Sequence, residues 1–149
     1  MPDGDDVWMQ EALDEARTAL AEGNFAVGSV IVRAGTVIGR GRNRVNERHD
    51  PILHAETVAI QDACARLGSE DLSGTTLYTT MEPCPMCCWA IWLAGIRRLV
   101  VGARHADFSN PRSGGYAVEK LLAMTGQSME LTAGIRAGEC LALRMASEG

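Results

Sequence analysis

Apolar positions recur at helical spacing through residues 6–22, where Val7, Leu13, Ala16 and Leu20 fall on or near one face. Gly23-Asn24 stops that helix. The β-branched runs at 26–32 and 36–43 are separated by Arg33-Ala34-Gly35 and read as a hairpin. Asp50-Pro51 closes the next loop, and a helix follows from His54 to Leu67. A strand at 74–80 leads into a helix that is opened by proline and ends near Gly95. Beyond it come a strand at 97–104, a loop, a helix at 116–126, a strand at 129–133 and a helix at 137–146. The order αββαβαβαβα predicts an α/β fold, one sheet with helices on both faces. Strands alternating with helices predict parallel pairing after the first hairpin.

A chain of 149 residues is expected to form one domain over 1–149, with enough apolar content (46%) to bury a core. No apolar run approaches the roughly 20 residues of a membrane span, and the first ten residues are acidic, so no membrane partner and a cytoplasmic location are expected. Five cysteines then read as reduced thiols with metal binding or catalysis as their roles. The net charge of −5 argues against nucleic acid as a partner. Arg33, Arg40, Arg42, Arg44 and Arg48 crowd one stretch, which reads first as a solvated strand and loop and second as a phosphate-binding edge.

Cys84 and Cys87 stand at (i, i+3) in the first turn of a helix, so both sulfurs can address one point, and the helix N-terminus favours thiolates. His54 opens another helix. If both helices begin at the same sheet edge, the three side chains share a zinc ion. Candidates for a fourth ligand are poor: Cys88 is adjacent to Cys87, Cys64 lies far down its helix, and Cys140 is in the last helix. Three ligands and an open position describe a catalytic zinc, and Glu56 is the carboxylate placed to move protons beside it. Alone, C-x-x-C could be a redox pair and H-x-E is uninformative. Together, H-x-E…P-C-x-x-C matches the known signature of zinc nucleobase deaminases.

Through "VGSVIV", "GRN", "DPILHAE", "TTLYTTMEPCPMC" and "IRRLVVGAR", in that order, the chain resembles the cytidine/deoxycytidylate deaminase superfamily. The resemblance is strongest to the branch of cytosine, guanine and tRNA adenosine deaminases. It implies a three-layer α/β/α sandwich around a five-stranded mixed sheet, a homodimer, and zinc-dependent hydrolytic deamination. It assigns His54, Cys84 and Cys87 to zinc and Glu56 to proton transfer. Asn43, the Ala55 N–H and the Glu82 carbonyl fall where the family reads the base, and Phe108 where an aromatic packs on it. Asp107 is the candidate acceptor for the substrate's amino group. A small nucleobase is the expected substrate, with cytosine first, then guanine or a related heterocycle, and tRNA adenosine third. A zinc-bearing scaffold is the non-enzymatic alternative, and an intact Glu56 speaks against it. Two features depart from the pattern: the cytosine enzymes close the pocket with a C-terminal segment carrying an aromatic and an acid, where this chain has "LALRMASEG", and Trp89 occupies a position where the family has a small residue.

Overall fold

The computed structural model describes residues 2–108 and 112–148, without the side chains of Pro2 and Asp3; part of the loop expected after 104, residues 109–111, lies outside them. A five-stranded sheet runs in the order β2-β1-β3-β4-β5, built from β1 (Gly28–Arg33), β2 (Thr36–Arg42), β3 (Thr76–Met81), β4 (Arg98–Ala103) and β5 (Glu130–Ala133). The helices are α1 (Pro2–Ala21), α2 (Val45–Arg48), α3 (Ala55–Leu67), α4 (Pro85–Leu93), α5 (Val118–Met124) and α6 (Ala137–Ala146), with one 3-10 turn at His105–Asp107. The result is the expected α/β/α sandwich around a mixed sheet.

Pairing departs from expectation at one place. β3–β4 and β4–β5 are parallel, but β1–β3 is antiparallel. The crossover through α3 carries the chain from β2 past β1, so β3 runs parallel to β2 but hydrogen-bonds to the strand between them. The hairpin turns through Ala34 (φ 49°) and Gly35 (φ 77°), two left-handed residues whose twist suits a two-residue connection.

Side chains alternate between the two faces of the sheet, and each face has its own core. Ile31, Leu77, Leu99 and Val101 face Ala59 and Ala63 of α3, Ile91 of α4 and Leu122 of α5. Val30, Tyr78 and Val100 face Met9 and Leu13 of α1 and Cys140 of α6. α3 lies unusually close to β2. A Cβ added at Gly41 would stand 2.2 Å from the Ala55 carbonyl oxygen and 2.3 Å from the Ala59 nitrogen. Gly39 faces Ala59 and Ala63 in the same way. Glycines on the strand and alanines on the helix thus set the height of α3, and with it the position of His54 and Glu56.

The short α2 and the 3-10 turn escape a periodicity reading because neither completes two helical turns. Among the described residues no helix is long and apolar enough to cross a membrane.

Candidate active site

His54 is the N-cap of α3 and Cys84 the N-cap of α4, both with extended backbone (φ −75°, ψ 158° and φ −67°, ψ 171°). Pro85 at the first helical position of α4 costs no hydrogen bond and pre-sets the turn that brings Cys87 beside Cys84. On the other helix, Asp50 Oδ1 accepts from the Ile52 N–H, and Thr57 Oγ1 donates toward the carbonyls of Ile52 and His54. These bonds fasten the loop before His54 onto the first turn of α3.

The His54 Nδ1 lies 3.5 Å from each of the two cysteine sulfurs, and all three donor atoms fall within 4.8 Å of one another. Zinc bonds of about 2.3 Å to sulfur and about 2.05 Å to nitrogen at tetrahedral angles put N and S roughly 3.6 Å apart. The donor set therefore fits zinc. Among the described residues no fourth His, Cys or carboxylate joins it. Cys88 is buried in the core beneath α4, Cys64 is at the far end of α3, and Cys140 packs against Gly102 on the opposite face.

The electrostatics of these side chains alone suit a dication. Hydrogen bonding from Cys87, and then from His54, draws Cys84 down to about 4, against the cost of burial. Cys87, the donor to Cys84 and itself buried, is pushed up. Its bond to Cys84 raises His54 despite burial. A divalent cation replaces such shared protons when it binds. Glu56, 4% exposed, is pushed up to about 7, first by burial and then by the Cys84 thiolate, with His54 opposing.

His54, Glu56 and Cys84 line a cavity of about 1040 Å³. Asn43, Ala55, Glu82 and Phe108 line it as well. Asn43 Oδ1 accepts from the Val45 N–H, so donation through Nδ2 is what its amide has to offer a ligand. Ala55 is the first residue of α3, and its N–H has no acceptor within the helix. Asp107 does not line the cavity. It is exposed, and its Oδ2 accepts from the Arg104 N–H at 2.8 Å, capping the 3-10 turn.

The structure adds residues that the sequence did not mark. Phe25, Arg144 and Met145 also line the cavity, so α6 reaches the pocket that its sequence suggested it would leave unclosed. The Arg144 guanidinium lies 4.4 Å from the Phe25 ring centroid and 5.9 Å from that of Phe108. Trp89 is not among the residues lining the pocket: it stacks on Trp92 at 4.8 Å, and Arg97 covers Trp92. Arg40 and Arg42 pair with Glu11 and Glu15 of α1 and with Glu22 in the turn after it, and Arg44 pairs with Glu47, in keeping with the solvated-face reading of this stretch.

Residues 2–103 match the family described as the cytidine and deoxycytidylate deaminase zinc-binding region. The chain belongs to this family. Among curated deaminases, a tRNA-specific adenosine deaminase of Aquifex aeolicus (strain VF5) is 41% identical over 100 residues, 67% of this chain and 66% of the relative. One from Bacillus subtilis (strain 168) is 41% identical over 99 residues, 66% of this chain and 62% of the relative. The chain thus spans somewhat under two thirds of the length of these relatives. Among solved structures, one from a study of A-to-I editing by tRNA:A34 deaminases superposes with a TM-score of 0.81 at 36% identity, covering 91% of this chain and 97% of the other. A guanine deaminase from Nitrosomonas europaea gives a TM-score of 0.80 at 25% identity, covering 97% and 85%.

Relatives named for tRNA overturn the expectation, drawn from net acidity, that nucleic acid is an unlikely partner of this chain. Net charge sums over the whole surface, whereas an unpaired base is read by insertion into a pocket and by stacking.

Proposed function

We propose that this chain catalyses the zinc-dependent hydrolytic deamination of a purine base, with the adenine of an RNA anticodon loop as substrate. The observation that carries the reading is the His54–Cys84–Cys87 set with buried Glu56 at a cavity of about 1040 Å³. Cytosine, the first choice from sequence, gives way on the strength of the tRNA-specific relatives.

Zinc bound at the three ligands supplies Lewis-acid activation of water near neutral pH. Glu56 takes a proton from water and delivers it to the ring nitrogen, then passes the proton of the newly added hydroxyl to the departing amine, which leaves as ammonia. Asn43 donates through Nδ2, and the Ala55 N–H and Glu82 carbonyl orient the base. Phe108 packs against its plane, with Phe25 against Arg144 in the pocket lining.

A free aminopurine such as guanine is the second reading, favoured by the Arg144 guanidinium that lies against Phe25 and Phe108 in the pocket lining. Ammonia release from zinc-loaded protein separates the two when cytosine, guanine, cytidine and an adenosine-bearing tRNA anticodon stem-loop are offered singly. Turnover of the stem-loop is expected. Guanine alone would establish the second reading, and cytosine alone would overturn both.

A further inference from the structure

Where β3 and β4 end, the chain parts into the loop before Cys84 and the segment that carries Phe108. Glu82 sits at the parting, its side chain only 2% exposed. Its Oε1 accepts from Arg104 Nε at 3.2 Å and from the His105 N–H at 3.0 Å. Its Oε2 accepts from Arg104 Nη2 at 2.9 Å and from the Val118 N–H at 2.9 Å. One residue on, the Pro83 carbonyl accepts from the Tyr116 hydroxyl at 2.5 Å. Arg104 is held from its other side by Glu119.

Two stretches that bring residues to the pocket wall, His105–Phe108 and Arg112–Tyr116, are therefore tied to Glu82-Pro83, immediately before a zinc ligand. Capping α5 would need one oxygen on one N–H. A carboxylate with both oxygens saturated by donors from two separate segments does more, because it sets those segments at a defined distance from Cys84. Keeping an ion so deeply buried is favourable only when its acceptors are met in this way.

Resting on the deaminase reading, we propose that the Glu82 carboxylate is a positioning residue that places the Phe108 wall against the metal loop and so sets substrate affinity without touching substrate. Glu56 and His54 are held by α3 and the Thr57 bonds, independently of this tie. Loosening the wall removes binding common to ground and transition states, which raises KM and spares kcat.

Glu82→Gln tests this, since an amide of the same shape turns hydrogens toward donors that need an acceptor. Zinc content should stay at one per chain and kcat within about twofold, while KM rises about tenfold, equivalent to roughly 1.4 kcal/mol. Val118→Pro is the second variant. It deletes a single N–H at a first helical position, where proline is tolerated, and Ala117 (φ −149°, ψ 157°) already has the extended backbone required before proline. It should show the same split, more weakly. Asp5→Asn, which breaks the buried pair with Arg98 at the other end of β4, should leave KM unchanged. Amide hydrogen exchange at His105 and Val118 should accelerate in Glu82→Gln. Unchanged KM in both variants, loss of zinc together with kcat, or unchanged exchange would each overturn the proposal. Inactivity of the unaltered protein on every substrate would instead sink the deaminase reading, and exchange would still decide whether Glu82 holds the wall.

Discussion

In the proposed reaction Glu56 both accepts and returns a proton. Before a metal binds, burial pushes its carboxyl up to about 7, the Cys84 thiolate adds to the rise, and His54 limits it. Glu56→Gln keeps the volume and removes the proton transfer. Zinc content by metal analysis should be unchanged while ammonia release falls by at least about 10²-fold; activity at the original rate would remove Glu56 from the mechanism. The three zinc candidates and Glu56 were legible in the sequence because the chemistry demands particular residue types at particular spacings. Asp107 shows the opposite case. Its place beside Phe108 suggested the pocket, but a short acid at a turn finds a backbone N–H more readily than a ligand, and it caps the 3-10 turn. Phe25 and Arg144 carried no local pattern at all, since what brings them together is the tertiary path of α6.

At the scale of elements, the ligand geometry depends on how closely α3 lies on β2. Gly41 permits the Ala55 carbonyl and Ala59 nitrogen to approach to where a side chain would stand, so Gly41→Ala must lift the start of α3. Overpacking of this kind costs about 1–3 kcal/mol. The displaced turn carries His54 and Ala55, so zinc affinity should fall along with melting temperature. Titration with a chelator beside a thermal melt would check both, and an unchanged zinc affinity would show that α3 does not set the ligand. Strand and helix periods made nearly all of these elements readable. The antiparallel β1–β3 pair was not, because the pattern within a strand does not say which neighbour it will find. The four-residue α2 and the 3-10 turn were missed for want of a period.

Across the whole molecule, the chemistry and a separate buried ion pair occupy opposite ends of the parallel strands. The pocket gathers where β3 and β4 end, whereas Arg98 at the start of β4 binds Asp5 of α1 through two bonds of 3.0 and 2.8 Å. Tyr78 of β3 donates to the same carboxylate at 2.9 Å, and Glu130 of β5 faces Arg98 at 3.5 Å. Arg98, by its hydrogen bonds, holds Asp5 below its ordinary value in spite of burial. A carboxylate lowered in the folded state binds its proton more weakly there than in the unfolded chain. Its contribution is therefore complete above the unfolded value of about 3.9 and is lost as pH falls through the lower folded one. Asp5→Asn should cost about 2 kcal/mol in denaturant unfolding at pH 7, the scale of a charged hydrogen-bond network. The gap between variant and original should close as the pH drops below about 4. A gap independent of pH down to the acid limit would mean that packing of α1, rather than ionisation of Asp5, holds this end of the sheet. Because the pair lies away from the pocket, deamination by the folded variant should be unaltered at neutral pH, which separates what keeps the fold together from what performs the reaction.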